Sequence, residues 1–214
     1  MPDAEIDLWT YERLAWAEGA AHVAGVDEAG RGPLAGPVVA AAVILPAEGF
    51  DASGITDSKK LTPAMRDRLF ERLCADTAVK TSVGIVDAEE IDRLNILRAT
   101  HHAMRLALKS LAIAPDIVLV DGLPVPNLHP RCQALVKGDS LSISIAAASI
   151  IAKVTRDRLM TGEYHTQYPQ YDFARHKGYG TPDHLAALAE HGPCALHRRT
   201  FAPVSQQALR FDAD

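Results

Sequence analysis

The chain has 214 residues, 48% hydrophobic and 23% charged, which suits one ordinary globular domain with a sizeable core. Three cysteines, Cys74, Cys132 and Cys194, stand far apart with no C-x-x-C pair, which excludes a disulfide framework or zinc knuckle and predicts reduced thiols. A formal net charge of −5 argues against a phosphate-rich partner, but residues 1–57 carry 2 basic and 10 acidic residues, while the remainder carries 20 and 17, so a basic face remains open.

The first sixteen residues are acidic and lack the basic start and apolar run of a secretory signal. The longest apolar run, residues 38–45, is too short to span a bilayer, so a soluble, cytoplasmic protein with no membrane partner is expected. No repeat or low-complexity tract divides the chain, and a single domain over 1–214 is predicted, with a tail from residue 203.

Residues 22–27 and 38–45 read as buried strands joined by a turn carrying Gly30, Gly32, Pro33, Gly36 and Pro37, the pattern of a hairpin. Beyond a loop-rich stretch, residues 63–75 are helical, 79–86 form a strand and 88–111 form a helix. Short strands follow at 117–120 and 132–136. Over 142–160 the apolar positions Ile143, Ala147, Ile150, Ile151 and Val154 recur at helical spacing, with Lys153, Arg156 and Asp157 on a polar side facing solvent. Pro182 opens a last helix that Gly192 closes. This mixture predicts an α/β sheet with helices packed on it.

Four acids stand where strands end or turns begin: the adjacent Asp27 and Glu28, then Asp121 and Asp139. Carboxylates gathered from separate strand ends repel one another, so a cluster is stable only when divalent cations neutralise it, and hard Mg2+ or Mn2+ prefer such oxygens. In two-metal phosphodiester hydrolysis, ions about 3.5–4 Å apart activate the attacking water and stabilise the leaving 3′ oxygen. The commoner use of such acids, as caps and turn formers, applies to each taken singly, and to Asp139 before a helix most of all. Successive strand residues also point to opposite faces, so Asp27 and Glu28 share a site only where the strand bends.

The run AGVDEAGRGPLAGPVV at 24–39 resembles the opening signature of the ribonuclease HII family. DSKKL at 57–61, VDG at 120–122, KGD at 137–139, AAASIIAK at 146–153, RD at 156–157 and HKGYGT at 176–181 follow in the family's order, so the resemblance spans about 22–201. It implies a ribonuclease H-like fold, a mixed β-sheet flanked by helices with a small C-terminal helical extension. It also implies an endoribonuclease that uses Asp27, Glu28, Asp121 and Asp139 as catalytic metal-site residues with Mg2+ or Mn2+. The implied substrates are RNA/DNA hybrids and duplex DNA containing ribonucleotides, cut on the 5′ side of the ribonucleotide to leave 3′-hydroxyl and 5′-phosphate ends.

The turn Gly30-Arg31-Gly32 resembles the family's junction-sensing loop, where backbone approaches the 2′ hydroxyl and the scissile phosphate. Without the flanking acids it would read as a hairpin turn whose glycines supply positive φ. Tyr179 resembles the tyrosine that stacks on the deoxyribose after the junction; a loop tyrosine is otherwise a half-buried packing residue. Lys59, Lys60 and Lys177, with Lys153, His176, Arg198 and Arg199, are candidate phosphate contacts or else solvated charges.

None of the nine histidines shows the H-E-x-x-H spacing of a zinc hydrolase, and none is assigned a catalytic role. Ser149 lacks a G-x-S-x-G elbow and is expected to pack its helix against the sheet. A non-catalytic nucleic-acid-binding protein of the same fold, or another metal nuclease such as a resolvase, would be the competing readings. All four acidic positions being filled weighs against the first, and Gly30-Arg31-Gly32 with Tyr179 against the second. In the tail, Gln206, Leu209 and Phe211 form a Q-x-x-L-x-F pattern that resembles peptides docking on the bacterial sliding clamp; the enzyme itself is expected to be a monomer.

Overall fold

The computed structural model describes residues 7–206. A five-stranded mixed sheet lies at its centre in the order β3-β2-β1-β4-β5. Strand β1 (Val23–Ala29) pairs antiparallel with β2 (Val38–Ile44), and β2 with β3 (Lys80–Val86), as the predicted hairpin requires. On its other side β1 pairs in parallel with β4 (Ile117–Asp121), which pairs in parallel with β5 (Cys132–Leu135). The α/β mixture of the sequence therefore resolves into the expected mixed sheet flanked by helices.

Strand β2, VVAAAVI, is buried at every position because helices cover both sheet faces. Ala40 and Ala42 face the first helical layer with Ala24, Val26, Val118 and Val120, while Ala41 and Val43 face the second. On the first face sit α3 (Ala88–Leu94) and α4 (Ile96–Lys109), preceded in the chain by α1 (Thr10–Ala17) and α2 (Pro63–Ala75). The single helix expected over 88–111 is thus two. Asn95 takes φ 69°, outside the right-handed helical range, and its side chain accepts from the Arg98 N–H at 3.1 Å to start α4 afresh.

The second face is covered by α5 (Ile143–Thr161), whose first turns press on β1. Gly25 makes this possible: a Cβ there would stand 2.1 Å from the Ser144 carbonyl carbon. Ser142 caps α5 by accepting from the Ile145 N–H at 3.3 Å, so the cap is not Asp139. Helix α5 is buried nearly all round its first three turns, and Arg156, expected on a solvent-facing side, is fully buried.

Short helices α6 (Glu163–Gln167) and α7 (Phe173–His176) lead to α8 (Pro182–His191), and Gly192 closes α8 with φ 70°, as its sequence predicts. Cys74, Cys132 and Cys194 are free thiols. Among the described residues no helix is long and apolar enough to cross a membrane. Of the tail pattern, Leu209 and Phe211 lie outside the described residues.

Candidate active site

Three of the predicted acids meet. Asp27 near the end of β1, Asp121 ending β4 and Asp139 in the 3-10 turn Gly138–Ser140 each offer an oxygen, and these lie within 4.8 Å of one another. Parallel pairing places the ends of β1 and β4 together, and the close seat of α5 on Gly25 brings the turn before it over them. The Gly138 N–H donates to Asp121 Oδ1 at 2.7 Å, and the Glu28 N–H donates to Asp27 Oδ1 at 2.7 Å, which orient two of the three carboxylates.

Glu28 does not join this trio. Strand β1 runs on without a bend, pairing Asp27 with Ala41, Glu28 with Ala40 and Ala29 with Val39, so Glu28 falls on the sheet face that α4 covers. It still lines the same hollow at the strand end, a cavity of about 220 Å³ bordered by Asp27, Glu28, Gly30, Arg31, Lys59, Asp121, Lys153 and Tyr179. Its carboxylate accepts from Arg31 Nη1 at 3.3 Å.

The electrostatics are those of an under-neutralised acid cluster. Burial holds the Asp27 carboxyl well above the ordinary aspartate range, and the charges of Glu28, Asp121 and Asp139 push the same way. Asp139 is raised by burial and by Asp57, and Glu28 by burial against the opposing pull of Arg31. Lys59 supplies one cation, its Nζ 3.3 Å from Asp139 Oδ2. Burial works to lower the pKa of Lys59, yet the carboxylates of Asp139, Asp27 and Asp57 together outweigh it and the net direction is upward. Three buried or half-buried carboxylates offering hard oxygens within reach of one another, two of them, Asp27 and Asp139, raised by burial and by neighbouring carboxylates, are a donor set that fits divalent cations.

The turn beside the acids is held from within by two arginines that the sequence did not single out as structural. Arg198 donates to the carbonyls of Gly36 at 3.0 Å, Arg31 at 2.9 Å and Gly30 at 2.5 Å. Arg156 donates to Pro37 at 2.9 Å, Ala35 at 3.0 Å and Lys177 at 3.0 Å, so it ties this turn to the segment carrying Tyr179. Both guanidiniums are fully buried, and burial lowers the pKa of Arg198 to about 9. Arg198 therefore cannot reach a phosphate.

His176 is also removed from the predicted phosphate contacts, being buried with Nε2 on the Tyr171 carbonyl at 2.7 Å and Nδ1 accepting from the Gly178 N–H at 3.2 Å. The Lys177 ammonium turns back onto the carbonyls of Ala174 and Arg175. Lys60 reaches Ser140 Oγ at 3.3 Å, and Lys153 pairs with Asp157 at 2.8 Å. Ser149, buried on α5, accepts from the Ser58 N–H at 3.3 Å and so fastens the Ser58–Lys60 turn to that helix.

Tyr179 is exposed, with Lys153 Nζ and Arg156 Cζ each 5.9 Å from its ring centroid. Lys153 and Tyr179 also border a second hollow of about 490 Å³ with Arg66, Arg158 and Arg175, so one cleft runs past the ring.

A mixed sheet in this order, with carboxylates gathered at the ends of its adjoining parallel strands, defines a hydrolase of the ribonuclease H-like class. The family model for ribonuclease HII matches residues 24–204. A ribonuclease HII of Geobacter sulfurreducens is 58% identical over 200 residues, covering 93% of this chain and 90% of that protein. The crystal structure of ribonuclease H2 from Pyrococcus horikoshii is 30% identical with a TM-score of 0.77, covering 90% of this chain and all of that one. A ribonuclease HII from Archaeoglobus fulgidus, solved as a complex with PCNA, is 27% identical with a TM-score of 0.68, covering 84% and 95%. The chain belongs to the ribonuclease HII family, and it is a metal-dependent ribonuclease H-type hydrolase.

Proposed function

We propose that this enzyme hydrolyses the RNA strand of RNA/DNA hybrids and cuts on the 5′ side of ribonucleotides embedded in duplex DNA, leaving 3′-hydroxyl and 5′-phosphate ends. The observation that carries this reading is the meeting of Asp27, Asp121 and Asp139 within 4.8 Å, beside an open glycine turn and an exposed tyrosine in one cleft. Asp27, Asp121 and Asp139 would hold Mg2+ or Mn2+, with Glu28 contributing from the other sheet face. Divalent cations bound there lower the pKa of the attacking water and stabilise the leaving 3′ oxygen.

The chain's own residues then place the substrate. At Gly32 a Cβ would meet nothing within 4 Å, so no contact inside the protein requires glycine there, and its bare backbone is open to the 2′ hydroxyl and the scissile phosphate. Tyr179 offers a ring face to the deoxyribose that follows, where a 2′ hydroxyl would crowd it. Lys59, which borders the cleft, and Lys60, next to it on the same turn, contact phosphates. Mapping the cut in a DNA duplex bearing one ribonucleotide tests the reading: a single incision 5′ of the ribonucleotide in Mg2+ or Mn2+ is expected, and cleavage 3′ of it, or none, would overturn it.

The tail pattern Gln206, Leu209 and Phe211 is proposed to dock on a sliding clamp, a partner of the kind found with the Archaeoglobus protein. A peptide covering 203–214 should bind the clamp of the source organism. Absence of binding at high micromolar concentration, or binding unchanged by Leu209→Ala with Phe211→Ala, removes the proposal.

A further inference from the structure

Tyr179 stands on a loop with glycine on either side, a setting that by itself leaves an aromatic ring loosely placed. Its backbone is nevertheless fixed at both ends. The Tyr179 N–H donates to the His176 carbonyl at 3.0 Å, and its own carbonyl accepts from the Thr181 N–H at 2.8 Å and faces His184 Nδ1 at 2.9 Å.

From His184 a buried chain runs inward. His184 Nε2 lies 3.0 Å from His197 Nε2, and His197 Nδ1 lies 3.0 Å from the Cys194 N–H. The protons in this chain have one consistent arrangement. A carbonyl only accepts, so His184 must carry hydrogen on Nδ1; its Nε2 is then a lone pair, and His197 must carry hydrogen on Nε2 to donate to it. That leaves His197 Nδ1 as the acceptor for the Cys194 N–H.

Each added proton would set two donors face to face, so the chain holds together only with both rings neutral. Burial enforces this, lowering His184 to about 4 and His197 to about 3. The rings are boxed: His176 stacks on His184 at 4.3 Å, Phe173 meets His184 edge-on at 5.6 Å, and Tyr171 meets His197 edge-on at 4.8 Å.

We infer that His184, backed by His197, is a positioning residue that sets Tyr179 against the sugar after the RNA-to-DNA junction and thereby helps the enzyme recognise a lone ribonucleotide. The inference rests on the proposed role of Tyr179. A hydrogen bond to the tyrosine carbonyl, anchored through a neutral ring to α8 and the segment after it, restricts the ring without touching substrate.

The test compares two folded variants on two substrates, a DNA duplex with one ribonucleotide and a uniform RNA/DNA hybrid. His184→Asn places an amide donor near Nδ1 and so keeps the bond to Tyr179, whereas His184→Gln places its amide near Nε2 and keeps only the contact with His197. For His184→Gln, kcat/KM on the lone ribonucleotide should fall about three- to tenfold while the uniform hybrid changes less than about twofold, and His184→Asn should restore most of the loss. Equal losses on both substrates in step with a lowered Tm would mean a purely structural role and overturn the inference.

Tyr179→Ala measured beside them separates the layers. If it leaves the ratio between substrates unchanged, the tyrosine reading and the inference fall together. If it collapses the ratio while His184→Gln does not, the inference alone falls. Nitrogen-15 NMR of the unmutated protein adds a readout independent of variant folding: neutral His184 protonated on Nδ1 and neutral His197 on Nε2 are expected, and any other tautomer for either overturns the chain.

Discussion

Arg156 and Gly30 exclude any side chain between them: a Cβ on Gly30 would stand 2.1 Å from Arg156 Nε, and the glycine holds φ +96°. Gly32, two residues on, meets nothing within 4 Å and has no positive φ. Gly30→Ala should therefore destabilise the protein by more than about 1 kcal/mol, from backbone strain and displacement of a buried guanidinium. Gly32→Ala should leave thermal stability within about 0.5 kcal/mol and reduce kcat/KM. Melting curves and cleavage rates for the two variants check the contrast, and equal Tm losses would contradict it.

The acid cluster sets function against stability. A carboxyl whose pKa is higher in the folded chain, as for Asp27 and Asp139, binds its proton more tightly when folded. It contributes stability below the unfolded value of about 4, and that contribution is lost as pH rises through the folded pKa. At neutral pH without metal, Asp27→Asn should thus raise Tm, by about 2–4 °C for each kcal/mol of repulsion relieved. The same variant should lower cleavage in Mg2+ about 10²–10³-fold. Added Mg2+ should stabilise the unmutated protein more than the variant, and a Tm for Asp27→Asn below that of the metal-free parent would refute the account.

Arg198 holds the carbonyls of Gly30, Arg31 and Gly36 with one planar fork. Lysine keeps the charge but cannot present donors in that geometry, so Arg198→Lys should cost about 1–3 kcal/mol for each buried carbonyl left without a partner. Cleavage should fall with it because the turn beside the acids loosens. A melt indistinguishable from the parent's would show that the fork is dispensable.

At the opposite end of α5, the fully buried Glu12 of α1 accepts from Ser142 Oγ at 2.6 Å and from the Ser144 N–H at 3.0 Å. A negative acceptor at a helix N-terminus is favourable, and its loss leaves a buried hydroxyl and an N–H unmatched. Glu12→Ala should lower stability by about 2–4 kcal/mol, and Glu12→Gln, which retains an acceptor, by less. Chemical denaturation measures both; equal losses would assign the effect to charge rather than to the hydrogen bonds.

The sequence by itself determined much of this protein. The unbroken apolar run of β2 marked a strand buried on both faces, the helical spacing from Ile143 to Val154 marked α5, and the positions of Asp27, Glu28 and Asp121 at strand ends and of Asp139 before a helix marked carboxylates available to one cleft, of which Asp27, Asp121 and Asp139 meet. Each of these rests on local periodicity or on the ends of elements, which a linear pattern records. Tertiary structure alone decided that β1 runs straight through Glu28, because that depends on its pairing with β2, and that Gly25 admits α5 closely enough to deliver Asp139. It alone decided that Arg156 and Arg198 are interior clamps. Their partners lie 119 and 168 positions away at Pro37 and Gly30, and a guanidinium tolerates burial only where carbonyls from distant segments converge on it, an arrangement that leaves no periodic trace in the chain.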